Sequence, residues 1–345
     1  MIWFRNLLFF ISIVSLASCS TSSVVVKVQR PADITIPSNI NNLVLANRST
    51  PSKENLAGNI FEGIVTGEGI GADRKGSEYC LMGLSTILNN SERYTLKNST
   101  GLELKGTGTS SFPAPLKWKK VKSLCSSYDA DALLVLETFD SDSRVIVGAP
   151  REITRKIKGV KVKEIRVPVT LVMEIQSGWR IYDASNKKII DENKFTEVKE
   201  FKAWGVNPKI AESKLPSRRQ ALKDAGVFAG EQFALRISPV WTRVRRLYYS
   251  GKNEHLKRAK SHVKREDWES AINIWKDLTN NSDEKIAGRS CYNMALASEI
   301  KGGLDTAIEW AEKARKKGEK RSRSYISTLH KRKADEEKLK QQLNK

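Results

Sequence analysis

Residues 132–136 read Ala-Leu-Leu-Val-Leu, an unbroken apolar run between Asp131 and Glu137. A strand with one wet face alternates polar and apolar residues, whereas a run without alternation fits a strand covered on both faces. The preceding segments supply the cover. Residues 40–47 read as a first strand. From Arg74 to Asn90, the positions Cys80, Gly83, Leu84, Ile87 and Leu88 recur at helical spacing and make one apolar face. Arg93–Lys97 reads as the next strand. Leu116–Ser126 opens after Pro115, where a helix start is natural, with Trp118, Val121 and Cys125 directed to the core. Strand, helix, strand, helix, strand is the order of a sheet with helices packed on it.

The pattern changes after Ser141. Val167, Val169, Leu171, Met173 and Ile175 alternate with Pro168, Thr170, Val172, Glu174 and Gln176, so one face is buried and one largely open. Gly178–Asp183 and Ile189–Phe201 continue the alternation around a turn at 184–188, predicting an antiparallel meander that completes the same sheet. Pro168 predicts an edge position or a strand start. Ser217–Ile237 returns to helix, with small residues along its inner stripe and Pro239 as its stop. Val240–Tyr249 is expected to bridge to the last domain. The fold class is therefore mixed, α+β or α/β, followed by an all-α repeat.

That repeat is visible at an offset of 36 residues. Ala259 and Ala271 match Ala295 and Ala307, and Trp268 lies opposite Leu304; Trp275 and Leu278 in one copy face Ala311 and Ala314 in the other. Each copy reads helix, short turn, helix, with turns at Arg265–Asp267 and Lys301–Gly303. Small residues at the crossings, Gly302 counted with them, let two antiparallel helices touch. This resembles the tetratricopeptide repeat, whose period is near 34. Arg321–Lys345 is a further charged helix, with Ile326 and Leu329 sealing the last repeat.

The first nineteen residues resemble a bacterial lipoprotein signal. Arg5 is followed by the apolar run Leu7–Leu16 and by Leu16-Ala17-Ser18-Cys19. A bilayer takes about 20 apolar residues, and this run is shorter. The resemblance implies cleavage before Cys19 and acylation of its thiol and new amine, which anchors a protein at a membrane. Residues 20–32, rich in Ser and Val, read as a tether. The expected organisation is a signal at 1–18, a lipidated tether at 19–38, an α/β domain at 39–245 and helical repeats at 246–345. With no acidic run after Cys19, the expected location is the outer membrane, facing the periplasm.

The formal net charge is +21. Such a chain either solvates its helices with Lys and Arg or meets polyanions. For an exported protein the candidates are anionic lipid headgroups, lipopolysaccharide phosphates or acidic partner proteins rather than nucleic acid. Lys313, Arg315, Lys316, Lys317, Lys320, Arg321 and Arg323 cluster as one basic patch. With Cys19 set aside, Cys80, Cys125 and Cys291 remain. They are either three buried thiols or a Cys80–Cys125 bridge and one free thiol.

Motifs that carry chemistry are scarce. His255 and His262 could share a helix face, and His330 stands apart, but no Cys or carboxylate completes a metal set around them. Gly67-Glu-Gly-Ile-Gly71 lacks the Gly-Lys-Ser/Thr of a phosphate loop and reads as a turn. Asp129 and Asp131 either flank a cleft or end a helix in solvent. No catalytic residue, metal or cofactor is assigned. Asn47-Arg48-Ser49, Arg236-Ile-Ser-Pro-Val-Trp241 with Arg245 and Tyr248-Tyr249, and the Asp267–Trp275 run resemble uncharacterised Gram-negative lipoproteins of the Bacteroidetes type. Those carry a domain of unknown function followed by tetratricopeptide-like repeats. The strand–helix order of 40–137 is also similar to the periplasmic domain of curli-secretion lipoproteins. The resemblance implies an architecture and a location but no activity; the Cys19 anchor, the repeat spacing and the scarcity of catalytic motifs lead to the expectation of a lipid-anchored, non-catalytic adaptor that meets an unknown protein through its repeats. The alternatives are an oligomeric secretion or envelope-assembly component, and an enzyme or small-ligand binder.

Overall fold

The 132–136 run lies inside a mixed sheet. The computed structural model describes residues 20–50, 71–98, 101–107, 111–157 and 159–343. They divide into two compact units: Arg30–Val240 with the residues from Lys338 onward, and the residues through Gln29 with Trp241–Glu337.

In the first unit the run opens strand β5 (Ala132–Val147). This strand pairs in parallel with β2 (Asn42–Asn47) and antiparallel with β7 (Val160–Asp183). The short strands β3 (Thr95–Leu96) and β4 (Leu102–Glu103) run parallel to β2 on its other side. β6 (Arg151–Ile157) forms a hairpin with the first residues of β7, and β8 (Lys188–Gly205) lies antiparallel to β7. Helices α1 (Ala72–Asn89), α2 (Trp118–Ser127), the short α3 (Pro208–Glu212) and α4 (Arg218–Ile237) accompany the sheet.

Strand periodicity sorts the two cores. Leu43, Leu45, Leu134 and Leu136 pack with α1 and α4, where Trp179 stacks on Phe233 at 4.4 Å between ring centroids. Val44, Ala46, Leu133 and Val135 pack on the opposite face with Val121 and Cys125 of α2. Each fully buried Leu or Val here stabilises by about 1.5–3 kcal/mol relative to exposure. Cys80 belongs to the first core and Cys125 to the second, so the sheet stands between them. Cys80, Cys125 and Cys291 are all free and buried, which decides the cysteine alternatives against a bridge.

Several expectations are corrected. Pro168 is neither at an edge nor at a strand start; it lies inside β7, opposite Trp204 of β8. Its carbonyl accepts from the Gly148 N–H, on the side where the neighbour of β7 changes from β5 to β6. The N–H that proline lacks would point to that same side, where the ladder is already interrupted. Residues 20–32 are not a tether, because Thr21–Arg30 form strand β1, paired with β9 (Val240–Tyr249) in a two-stranded sheet. Val24, Val26 and Val28 alternate and bury one face. The bridge expected at 240–249 is thus a strand, and the two units divide between Val240 and Trp241, where the expected division was after residue 245.

β1 and β9 belong to the second unit with helices α5 (Glu254–Lys264), α6 (Trp268–Leu278), α7 (Glu284–Ile300) and α8 (Leu304–Lys316). Most of the last helix, α9 (Ser322–Leu343), is also part of it. The offset of 36 is reproduced in the backbone of the turns. Asp267 N–H donates to the His262 carbonyl, and Gly303 N–H donates to that of Ser298; Glu266 donates to Val263, and Gly302 to Glu299. Both turns close through a left-handed residue, Glu266 at φ 62° and Gly302 at φ 81°. Gly302 is therefore a turn residue and not, as expected, a packing residue; it is exposed and a Cβ there would meet nothing.

The closest helix contact in the first unit depends on glycine. A methyl group on Gly83 of α1 would overlap the Val227 carbonyl oxygen, and one on Gly230 of α4 would overlap that of Cys80. Backbone cannot swing aside as a flexible side chain can. Gly83→Ala or Gly230→Ala is expected to cost about 1–3 kcal/mol, read as a lower urea midpoint with an unchanged slope. An unchanged midpoint would refute this packing.

Candidate functional site

In open parallel sheets, ligands bind beyond the carboxyl ends of the strands. Here β2 ends at Asn47 and the apolar run of β5 ends at Glu137, and polar groups gather at both. The Glu137 carboxylate is fully buried. It accepts from Arg48 Nη1 at 3.0 Å, Arg180 Nη1 at 3.3 Å and the Tyr182 hydroxyl at 2.6 Å. Arg180 also donates through Nε to Glu192 at 2.7 Å and through Nη1 to the Pro113 carbonyl. The ring of Phe112 covers its guanidinium at 4.6 Å. Arg48 donates further to the carbonyls of Lys105 and Ala114. Two guanidiniums thus meet two carboxylates, and the formal charges cancel. Burial, reinforced by the bond to Glu137, pushes the Tyr182 phenol up to about 12 and keeps it a donor.

Next to Arg48, the buried Asn47 donates to Ser77 of α1 and accepts from the N–H and hydroxyl of Ser49. Two of the residues that carried the family resemblance, Asn47 and Arg48, therefore join strands to helix and loops. In the first turn of α1, Asp73 accepts from the Ser141 N–H at 2.9 Å and hydroxyl at 2.6 Å. Burial raises this carboxyl to about 6, the Ser141 hydroxyl opposes the rise, and Asp140 adds to it.

The second unit repeats the same solution. Glu299 of α7, its side chain fully buried, accepts from Arg246 through both Nε and Nη2 at 2.9 Å, from Arg332 at 2.9 Å and from the Tyr325 hydroxyl at 2.7 Å. Burial alone would raise Glu299, but the bonds from Arg246, Tyr325 and Arg332 hold it below the usual carboxylate range. Asn293 brackets the Tyr249 peptide, accepting from its N–H and donating to its carbonyl. β9 thereby seats on α7, whose residues Ala287–Ala297 are all buried.

Ala259, Ala271, Trp275, Ala295, Ala307, Ala311 and Ala314 are fully buried, and Trp268 packs edge-on to Trp275 at 6.5 Å. The basic cluster is only partly brought together. Arg315 pairs with Glu312, Lys317 with Glu284, Lys313 lies over Trp310 and Arg321 over Tyr249. Lys316, Lys320 and Arg323 are exposed, and a shallow groove at the α8–α9 junction is lined by Arg315, Gly318, Glu319, Lys320 and Arg323.

His255 lines an open recess on α5 with Glu254, Lys257, Arg258 and Ser261; His262 Nδ1 lies 2.7 Å from Asp267. Asp131 accepts from the N–H groups of Asn41 and Asn42, and Asp129 pairs with Lys97, so they brace β2 and a loop rather than share a cleft. Among the described residues there is no metal-ligating cluster and no helix long and apolar enough to cross a membrane. Leu16, Ala17, Ser18, Cys19 and most of the 67–71 glycine segment lie outside the described residues. Sequence reading missed both buried carboxylates. Their signals are an acid closing an apolar run at Glu137, an arginine inside the buried stretch of β7 at Arg180 and one on the inward phase of β9 at Arg246.

Removing one member of a buried ionic cluster leaves its partners charged and dry. Glu137→Leu should therefore lower stability by about 3–5 kcal/mol in urea unfolding; a change within error would show the cluster to be wet. For Asp73 the sign runs the other way from a usual salt bridge. Its folded pKa lies above the unfolded one, so its contribution is favourable below pH 4 and is lost as pH rises through 6. Asp73→Asn should stabilise the protein at pH 8 and make no difference at pH 3.5, measured by thermal unfolding at both; equal effects would refute the shift.

The family model described as "Domain of unknown function (DUF8603)" matches residues 40–249, and one described as "Domain of unknown function (DUF6340)" matches residues 257–342. No curated protein matches the chain. Among solved structures, a neuraminyllactose-binding hemagglutinin homologue from Helicobacter pylori is similar at 13% identity, over 59% of this chain and 86% of that one, with a TM-score of 0.25. Since the first family model spans more than half of the sequence, this chain belongs to the DUF8603 family.

Proposed function

We propose that this protein is a lipid-anchored, non-catalytic cell-envelope adaptor that holds a partner protein through its C-terminal helices. The anchor is the acylated Cys19, in the outer membrane with the protein facing the periplasm. The helices pack as tetratricopeptide-like repeats, and the duplicated turn hydrogen bonds at Asp267 and Gly303 support that reading.

The observation that carries the proposal is where free surface remains. The inner helix α7 is covered by the chain's own β9, whereas Lys320 and Arg323 of the α8–α9 groove, and Lys316 on α8, stand in solvent. A groove of that charge takes an acidic segment of the partner. The buried charges at Glu137 and Glu299 are matched by arginines and tyrosines of the same unit, which supports structural rather than catalytic roles for them.

A second reading, an oligomeric envelope-assembly component like the curli-secretion lipoproteins, draws on a different observation. The ends of β5 and β7 and the hairpin to β6 expose Val145, Ile146, Val147, Val160, Val162 and Ile165. Apolar residues in such number on one extension suit burial between subunits.

Photocrosslinking in the native envelope, from a probe at Lys316 or Lys320, should capture one protein whose yield falls at least tenfold with Lys316→Glu, Lys320→Glu and Arg323→Glu combined. Unchanged capture by that variant would reject the groove. Mass spectrometry of the N-terminal peptide should find cleavage before Cys19 and two or more acyl chains, and an intact start would reject the anchor. Native mass in detergent should give a monomer or dimer, while a large ring would favour the second reading.

A further inference from the structure

The two-stranded sheet of β1 and β9 has one face in the helical core and one in solvent. Val26, Val28, Tyr248 and Tyr249 are buried, while Val25 is 56% exposed, Trp241 58% and Leu247 42%. Between these apolar residues lie Lys27, Arg243 and Arg245, all exposed. Neither strand contains an Asp or Glu. Lys27, Trp241, Thr242 and Arg243 together line a broad, open recess. The outward face therefore combines an aromatic ring, two aliphatic side chains and three cations without an acidic neighbour on either strand.

That composition differs from an ordinary solvated sheet face. Lys and Arg alone would be a surface in water, and Trp, Val and Leu alone would seek a dry interface. An exposed indole beside cationic side chains is suited to the boundary between lipid headgroups and acyl chains. The position along the chain points the same way. Only Ser20 separates Cys19 from Thr21, where β1 begins, and a chain spans at most about 3.5 Å per residue. The Ser250 N–H donates to the Ser20 carbonyl at 3.0 Å, and the Ser22 and Ser250 hydroxyls lie 2.8 Å apart, so the end of β9 is fastened beside the start of β1. An acyl chain on Cys19 would leave no slack between bilayer and ribbon.

We infer that the outward face of the β1–β9 ribbon docks on an anionic phospholipid surface, with Trp241 and Leu247 entering the headgroup layer and Lys27, Arg243 and Arg245 meeting lipid phosphates. The inference rests on the proposed anchor at Cys19 for its orientation but not for its binding chemistry. Each cation near an anionic bilayer contributes about a fivefold gain in partitioning, so the three together contribute about a hundredfold.

The test uses the chain from position 19 onward with Cys19→Ser, so that no acyl group takes part, and vesicles of phosphatidylcholine with or without phosphatidylglycerol. Flotation should show binding to the anionic vesicles only, and 0.5 M salt should release it. Lys27→Gln, Arg243→Gln and Arg245→Gln combined should weaken partitioning by about a hundredfold. These side chains are exposed, and circular dichroism checks that the variant stays folded. Trp fluorescence gives a second, local readout. Brominated lipids should quench part of the emission, and Trp241→Phe should remove that quenched part.

Equal binding to neutral vesicles, a triple variant that binds as well as its parent, or quenching unaltered by Trp241→Phe would each overturn the inference. So would absence of vesicle binding together with self-association abolished by Trp241→Ala, which would assign the face to a second copy of the chain. Acylation of Cys19 is judged separately from the mass of the N-terminal peptide, so failure of the anchor and failure of the ribbon are told apart.

Discussion

The first unit depends on shelter for both faces of β5. Ala132, Leu134 and Leu136 look toward α1 and α4, while Leu133 and Val135 look toward α2. No two-layer arrangement satisfies such a strand, so helices must cover both sides. The rest follows from filling the two layers. Cys80 and Cys125 are kept apart because they serve opposite layers, and the small residues of α4 are there because α1 must lie against it. A backbone-to-backbone approach of that kind excludes even a Cβ at Gly83 or Gly230.

A sheet buried on both sides has to return to water somewhere, and the chain makes that exit with a paired charge. At Glu137 the carboxylate meets Arg48, Arg180 and Tyr182; at Glu299 another meets Arg246, Arg332 and Tyr325. Taking charges out of water costs several kcal/mol per ion, so such clusters add little net stability over a well-packed apolar alternative. Their value is selectivity. A carboxylate that needs two guanidiniums and a phenol at fixed distances fits one arrangement of strands and helices and penalises slipped ones. In the first unit it fixes β2 and β7 against β5, and in the second it fixes β9 and α9 against α7.

The helical unit shows how a pair of helical hairpins can be closed without a long array. Two helical hairpins alone would leave α7 with an apolar face in water. The ribbon of β1 and β9 covers it, and Asn293 and Glu299 hold the ribbon through the Tyr249 peptide and Arg246. The same ribbon then has a second face, and its unusual mixture of Trp, aliphatics and arginines is available for another surface.

What the sequence determined by itself was everything carried by short-range periodicity. The doubly buried run at 132–136, the helical stripes of α1 and α4, the alternation of β7 and the duplicated helix–turn–helix all rest on neighbours within a few turns. The alternating Val24, Val26 and Val28 of β1 were equally legible, but the Ser-rich start concealed them as a tether. Only the tertiary structure could decide the rest, because the partners are far apart in the chain. Ser20 meets Ser250, Arg48 meets Glu137, and Arg246 meets Glu299 and, through it, Arg332. Periodicity tells which face of an element is dry. Which charge is carried inside, and against what, is fixed by where the other elements come to lie, since a buried ion is tolerated only where its counter-charges arrive with it.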